Sequence, residues 1–252
     1  TGASPDRVVR ELREKLGLRA VLLQIPIGLE ARFEGVVDLV DMTAVRFGGA
    51  DGAEVVREAI PADLEAEAGR RRADLLDTLT LFSDELTEAV LEDRATPALI
   101  HDAIRRGVLA RQLIPAFVGS AYKNKGVQPL LDAIIDYLPS PIDIPPVQGQ
   151  NPKTNAVEQR EADPDGPFCA LAFKIVTDPF VGKLTYFRVY SGTLQAGSYV
   201  YNATRGTKER VSRILRMHAN HREDIPEVSA GNVVAAVGLR ETTTGDTLCD
   251  ET

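Results

Sequence analysis

Long apolar runs are missing from this chain of 252 residues, and none approaches the roughly 20 residues that a helix needs to cross a bilayer. The opening, Thr1-Gly2-Ala3-Ser4-Pro5, has neither the basic start nor the apolar core of a signal peptide, so a soluble cytoplasmic protein with no membrane partner is expected. An initial Met is also lacking and a helical pattern begins at once, which reads as a piece of something longer. Cysteine is scarce. Cys169 and Cys249 form no C-x-x-C pair and lie in apolar, strand-like surroundings, so they are read as buried free thiols rather than redox or metal ligands. His218 and His221 sit three apart, but structural zinc takes about four ligands and nothing visible completes the set, so no metal is expected. No Ser, His and Asp constellation is recognisable. There is no G-x-x-x-x-G-K-[ST] loop, and no Asp-x-x-Gly or Asn-Lys-x-Asp segment precedes residue 119. Catalytic residues are therefore expected to be absent.

What is present supports two compact domains with cores of their own, since 44% of the residues are hydrophobic. A formal net charge of -8 argues against non-specific binding of DNA or other nucleic acid by the whole surface. The charge is unevenly spread. Between Gly28 and Gly107 there are 18 Asp and Glu against 9 Lys and Arg, whereas Lys183 to Arg222 holds 8 Lys and Arg against the single acid Glu209.

Along the chain, Ser4 and Pro5 start a helix with Val8, Val9, Leu12 and Leu16 on one face, and Gly17 ends it. The apolar run Val21 to Ile27 reads as one strand of a parallel sheet, matched much later by Ile114 to Val118. Between them, residues 28–111 read as an inserted α+β subdomain: two short strands within Phe33 to Phe47, a turn at Gly48 to Gly52, and helices over Pro61 to Leu81, Ser83 to Glu92 and Thr96 to Arg106. The acids Asp84, Glu85, Glu88, Glu92 and Asp93 are either a docking surface for a basic partner or a solvated helix face. Residues 140–165, opened by Pro139-Ser140-Pro141 and Pro145-Pro146, read as a stiff interdomain linker. From 166 to 252 short strands alternate with Gly-rich turns, among them Lys208 to Met217, which predicts a closed or nearly closed antiparallel barrel. The fold class is thus α/β over 1–139, with an inserted α+β subdomain, followed by an all-β barrel.

At the carboxyl end of the second strand lies Gly119-Ser120-Ala121, followed by a helix with Leu130, Leu131, Ile134 and Ile135 as its apolar stripe. Ligands bind at that end of strands in open α/β sheets, and such a loop lets backbone N–H groups approach a flat polar ligand; it is also an ordinary strand-to-helix turn.

Several long stretches, in order and at compatible spacing, resemble the bacterial translation elongation factor G family. They are Gly119-Ser120-Ala121-Tyr122-Lys123-Asn124-Lys125-Gly126-Val127-Gln128, Tyr137-Leu138-Pro139-Ser140-Pro141, Thr177-Asp178-Pro179-Phe180-Val181-Gly182-Lys183, Met217-His218-Ala219-Asn220-His221-Arg222 and Thr242-Thr243-Thr244-Gly245-Asp246-Thr247-Leu248. The resemblance implies a part of a GTPase that drives translocation on the ribosome. Residues 1–139 look like the end of its GTP-binding domain and 166–252 like its second domain. It further implies guanine contact by Gly119, Ser120, Ala121, Tyr122 and Lys123 in the parent, where backbone N–H groups suit the O6 of guanine. GTP or GDP with Mg²⁺ would be the parent's cofactors; with the P-loop absent, this chain is expected neither to hydrolyse GTP nor to hold it firmly. Small-subunit RNA would meet the barrel and the large-subunit stalk protein the inserted subdomain. Candidate RNA contacts are Lys183, Arg188, Arg205, Lys208, Arg210 and Arg213, with Arg216 and Arg222 beside them; a solvated sheet face is the plain alternative. Rival readings are a noncatalytic ribosome- or RNA-binding module, or a part of a related release factor, ribosomal protection or recycling GTPase. Missing strands would expose sheet edge and favour self-association near Val21 to Ile27.

Overall fold

A computed structural model describes residues 2–49, 51–151, 154–179, 181–219 and 221–251; Thr1, Phe180 and Asn220, quoted above, and Ala50 within the Gly48 to Gly52 turn lie outside them. The chain divides into two compact units, Thr1–Leu138 and Pro139–Thr252.

In the first unit, α1 (Pro5–Leu16) starts where the Ser4 hydroxyl accepts the Arg7 N–H and ends at Gly17 in the left-handed region. The run that follows is not one strand. β1 (Ala20–Leu22) is followed by β2 (Gln24–Ile27), which pairs antiparallel with β3 (Gly35–Asp38). Leu23 is the corner: its N–H donates to Ala116 O, while its own carbonyl accepts the Leu39 N–H. An apolar run buried throughout carries no mark of which partner each half takes, so the change of sheet escapes the sequence. Most side chains of this run are buried, while β1 and β6 form a sheet of only two strands among the described residues.

The small sheet continues through β4 (Thr43–Gly48) to β5 (Glu54–Glu58), in the order β2-β3-β4-β5. β5 was not anticipated, because all five of its residues are exposed and no alternation betrays it. Three helices follow, α2 (Ala62–Leu79), α3 (Asp84–Leu91) and α4 (Pro97–Leu109). The Ser83 and Thr96 side chains accept the Leu86 and Leu99 N–H groups, as the cap pattern predicts. Leu75, Leu79, Leu86, Ile100 and Ile104 join Val21, Leu23, Ile25 and Val37 in one core. The acids of α3 and its flank, Asp84 to Asp93, are all exposed.

β6 (Ile114–Ala116) then lies parallel to β1, with Ala20 opposite Ile114. The last helix, α5 (Val127–Tyr137), buries Ala133 and Tyr137. Its expected stripe faces outward instead, with Ile135 77% exposed. The helix is apolar on two sides, and periodicity alone cannot say which side meets the rest of its unit.

In the second unit, the stretch read as a linker contains a hairpin, β7 (Val147–Gln150) with β8 (Val157–Arg160). Its residues are nearly all polar or small, so neither strand shows the alternation of a half-buried sheet. β9 (Cys169–Asp178) and β10 (Gly182–Ser191) are the long central pair. Along β10, Phe187 and Val189 point inward while Tyr186, Arg188 and Tyr190 are only partly covered, the period of two that a one-sided strand requires. There follow β11 (Thr193–Gln195), β12 (Tyr199–Asn202), β13 (Thr207–Arg210), β14 (Arg213–His218), β15 (His221–Ile225), β16 (Glu227–Ser229), β17 (Val233–Val237) and β18 (Thr247–Cys249).

Eight of these form one antiparallel sheet, β13-β12-β18-β9-β10-β17-β14-β15, and β11 pairs with β16. Lys208 to Met217, expected as one strand, is broken at Val211-Ser212. There the Val211 N–H donates to Ser198 O and the Ser212 N–H to Val237 O, so the chain passes from one end of the sheet to the other. Gly238 makes room for this crossing, since a Cβ on it would lie 2.5 Å from Ser212 Oγ. Val200, Ile214, Ile225, Val234 and Leu248 share one core, so both ends of the sheet curl around the same interior.

Candidate functional site: the loop after the second parallel strand and the basic strands

Val118 leads from β6 into the candidate loop with its N–H on Gln24 Oε1 at 3.4 Å. Two glycines let the backbone close tightly. A Cβ on Gly119 would lie 2.8 Å from Lys125 O, and one on Gly126, which has φ +84°, would lie 2.7 Å from Val118 O. Ser120 and Lys125 pair in both directions, N–H to carbonyl, at 2.7 and 3.1 Å. Within that clasp Ala121 to Lys123 makes a single 3-10 turn.

The Ser120 N–H is thus spent inside the loop, while the N–H groups of Ala121 and Tyr122 come before the turn's internal bonds to Ser120 O and Ala121 O. Tyr122 is fully exposed and Lys123 lies beside it on the surface. The sequence pattern put Ser120 and Ala121 on the same footing; the geometry separates them.

The inserted subdomain holds the loop from behind. Lys125 Nζ donates to Phe33 O at 3.1 Å and Gln128 Nε2 to Gly52 O at 3.3 Å. Gly52 comes so close that a Cβ there would lie 2.7 Å from Lys123 O. Lys125, Gln128 and Gly52 are not among the expected guanine contacts, Gly119 to Lys123, although all three lie in stretches that the sequence marks as a motif or a turn.

The basic residues of the second unit do not form one open surface. Arg213 holds Asp224 with two bonds of 2.7 and 2.6 Å, Arg222 holds Asp178 likewise at 3.0 and 2.6 Å, and Lys208 Nζ lies 3.0 Å from Glu251. Arg216 and His218 both approach Glu223 at 3.6 Å. Lys183 Nζ binds the carbonyls of Arg240 and Thr242, each at 2.7 Å. Arg210 Nε donates to Gly197 O at 3.2 Å, and Arg188 lies over the Tyr190 ring at 5.8 Å. Of the six candidates, Lys183, Arg188 and Arg210 thus lie beside carbonyls or a ring rather than a carboxylate.

Arg205 belongs to a different structure. Its Nε donates to Asp246 Oδ2 at 2.7 Å and its Nη2 to Thr243 Oγ1 at 2.6 Å. Asn202, fully buried, donates to Asp246 at 2.9 Å and to Thr242 at 3.2 Å. Glu209 accepts the Arg240 and Glu241 N–H groups at 2.6 and 2.8 Å and the Thr242 hydroxyl. Burial alone would raise the Asp246 carboxyl, but the hydrogen bonds from Asn202, Thr243 and Arg205 outweigh it and hold it at about 2. Glu209 is lowered in the same way, against its own burial. This network knits β12 and β13 to the 240–246 loop. Among the described residues no group of three or more His, Cys, Asp or Glu could hold a metal ion, and no helix is long and apolar enough to cross a membrane.

The elongation factor Tu domain 2 family model matches residues 182–249, the heart of the strand-rich unit. Elongation factor G from Ureaplasma urealyticum serovar 10 is 48% identical over 252 residues, which is all of this chain and 36% of that protein. The chain is homologous to elongation factor G. It spans about a third of the length of this relative, and the match runs through the Gly119-Ser120-Ala121 loop as well as the strand-rich unit. A crystal structure from Thermus thermophilus, titled ttk003000868, superposes on all of the chain and 34% of its own with a TM-score of 0.74. At 24% identity that likeness speaks for the fold, an α/β part followed by an antiparallel β part.

Proposed function

We propose that the chain works as the guanine-contacting and ribosome-docking part of a translational GTPase of the elongation factor G kind. The observation that carries this reading is the 48% identity to elongation factor G over the chain's whole length. The loop geometry supports it: an N–H on Ala121, ahead of the internal bonds of its turn, can donate to the O6 of guanine and is poorly matched to the amino group of adenine. Residues Gly119 to Lys123 would frame the base, with Gly119 and Gly126 keeping the loop flat and Lys125, Gln128 and Gly52 holding it in place.

GTP or GDP with Mg²⁺ fits this chain at the base end only. The phosphates would need a P-loop, and that pattern is not among these 252 residues, so no step of hydrolysis is assigned to them. Docking would fall to the second unit, through Arg188 and Arg210 first, since Lys183 is held by two carbonyls and Lys208 by Glu251. A phosphate would have to compete with Asp224 for Arg213 and with Asp246 for Arg205. Small-subunit RNA is the partner proposed for this unit and the large-subunit stalk protein the one for the inserted helices, in the cytoplasm.

Co-sedimentation with separated ribosomal subunits across a salt series tests this. Salt-sensitive binding to the small subunit, weakened by Arg188→Ala and Arg210→Ala and little changed by Arg213→Ala, is the expected result. Equal loss on changing any of the three, or binding that ignores salt, would sink the assignment of docking to these residues.

A further inference from the structure

Cys169 and Cys249 lie on neighbouring strands, directly opposite each other in the β9–β18 ladder. Two bonds reveal which kind of pair they form. The Asp250 N–H donates to Phe168 O at 3.2 Å and the Ala172 N–H to Asp246 O at 2.9 Å, so the hydrogen-bonded pairs are Phe168 with Asp250 and Ala172 with Asp246. By the alternation of an antiparallel ladder, Cys169 with Cys249 is a non-hydrogen-bonded pair, in which the Cα atoms stand about 4.5 Å apart and the side chains leave the same face. A disulfide spans Cα separations of about 4.4–6.8 Å.

That shared face is reachable. Both cysteines line an open cavity of about 430 Å³ in the second unit, bordered by the β7–β8 hairpin and by Phe168, Tyr190, Tyr201 and Asp250. Each is half-buried and free, which corrects their reading as buried thiols. Burial raises both thiols, so the attack is slow at neutral pH and quickens as the pH rises.

We propose that Cys169 and Cys249 are a cross-strand dithiol that closes into an intramolecular disulfide by exchange with a small-molecule disulfide. One cysteine thiolate attacks a sulfur of the small disulfide and releases the first thiolate. The second cysteine thiolate then attacks the protein-bound sulfur of the mixed disulfide and releases the other. Two protein S–H bonds are lost and one S–S bond forms, while the small disulfide is reduced to two thiols and takes up the two protons.

The test is incubation of the full chain with oxidised glutathione at mildly alkaline pH, then alkylation, intact mass and peptide mapping. Expected are a fall from two alkylatable thiols to none, a loss of two hydrogens with no retained glutathione, and a linked Cys169–Cys249 peptide pair whose yield does not depend on protein concentration. Cys169→Ser and Cys249→Ser should each stop at one glutathione adduct. Wild-type chain that stays free, that accumulates two adducts, or that links only between chains would overturn the proposal.

Discussion

Replacing Asp246 by Asn removes one charge from the buried network and leaves its shape. The wild-type carboxyl sits at about 2 instead of its ordinary 3.8, a depression of just under two pH units. At 1.36 kcal/mol per unit this is roughly 2.5 kcal/mol of folding stability at neutral pH. Because the folded value lies below the unfolded one, that stability is fully present above about pH 4 and is lost as the pH falls from 3.8 through about 2. Asp246→Asn should therefore be less stable than wild type by roughly 2.5 kcal/mol at pH 7, and the gap should shrink to about 0.4 kcal/mol at pH 2, where the carboxyl is half protonated. Glu209, also lowered, remains in both proteins and cancels in the comparison. Urea unfolding at a series of pH values, with limited proteolysis reporting on the second unit, reads this directly. A gap that stays constant from pH 7 to pH 2, or one below about 0.5 kcal/mol at pH 7, would refute the claim that three donors hold Asp246 ionised.

Gly126→Ala should cost on the order of 1–3 kcal/mol in the first unit, because Ala would have to adopt φ +84° with its Cβ 2.7 Å from Val118 O; urea unfolding checks it. Ser83→Ala removes the acceptor of the Leu86 N–H at the start of α3 and should cost about 1 kcal/mol, with Ser83→Thr close to wild type by the same measurement. Ala121→Pro deletes one N–H at the first position of the 3-10 turn, where the fixed φ of proline is tolerated and Ser120 is already extended. Placed in a complete GTPase carrying this chain, it should leave the melting temperature within a few degrees and weaken GDP about tenfold, as loss of one hydrogen bond does; unchanged GDP affinity by titration calorimetry would remove Ala121 from guanine recognition.

Local chemistry made much of this structure legible. Ser4 with Pro5 and Gly17 bounds α1, Ser83 and Thr96 open α3 and α4, and the alternation through Phe187 and Val189 marks a one-sided strand; each of these signals acts over a few residues. What stayed hidden depends on partners far along the chain. Nothing within Val21 to Ile27 tells that Leu23 divides its backbone bonds between Ala116 and Leu39. The polar strands β8 and β15 owe their form to pairing, not to buried faces. At the candidate site, the Gly119-Ser120-Ala121 loop was found from its place after a strand, yet only the Lys125 carbonyl distinguishes Ser120 from Ala121. The basic run was visible as charge, but the acids that engage it, Asp178, Asp224 and Glu251, lie on other strands or beyond the run.

The central claim is that this chain can stand for one particular third of a ribosomal GTPase. The direct measurement is a chimera in which the matching 252 residues of a complete elongation factor G are replaced by this chain, assayed for GTP hydrolysis with and without ribosomes. Ribosome-stimulated hydrolysis, together with guanine over adenine preference, is the predicted result. A chimera that folds and melts cooperatively but binds neither guanine nucleotide nor ribosome would contradict the account.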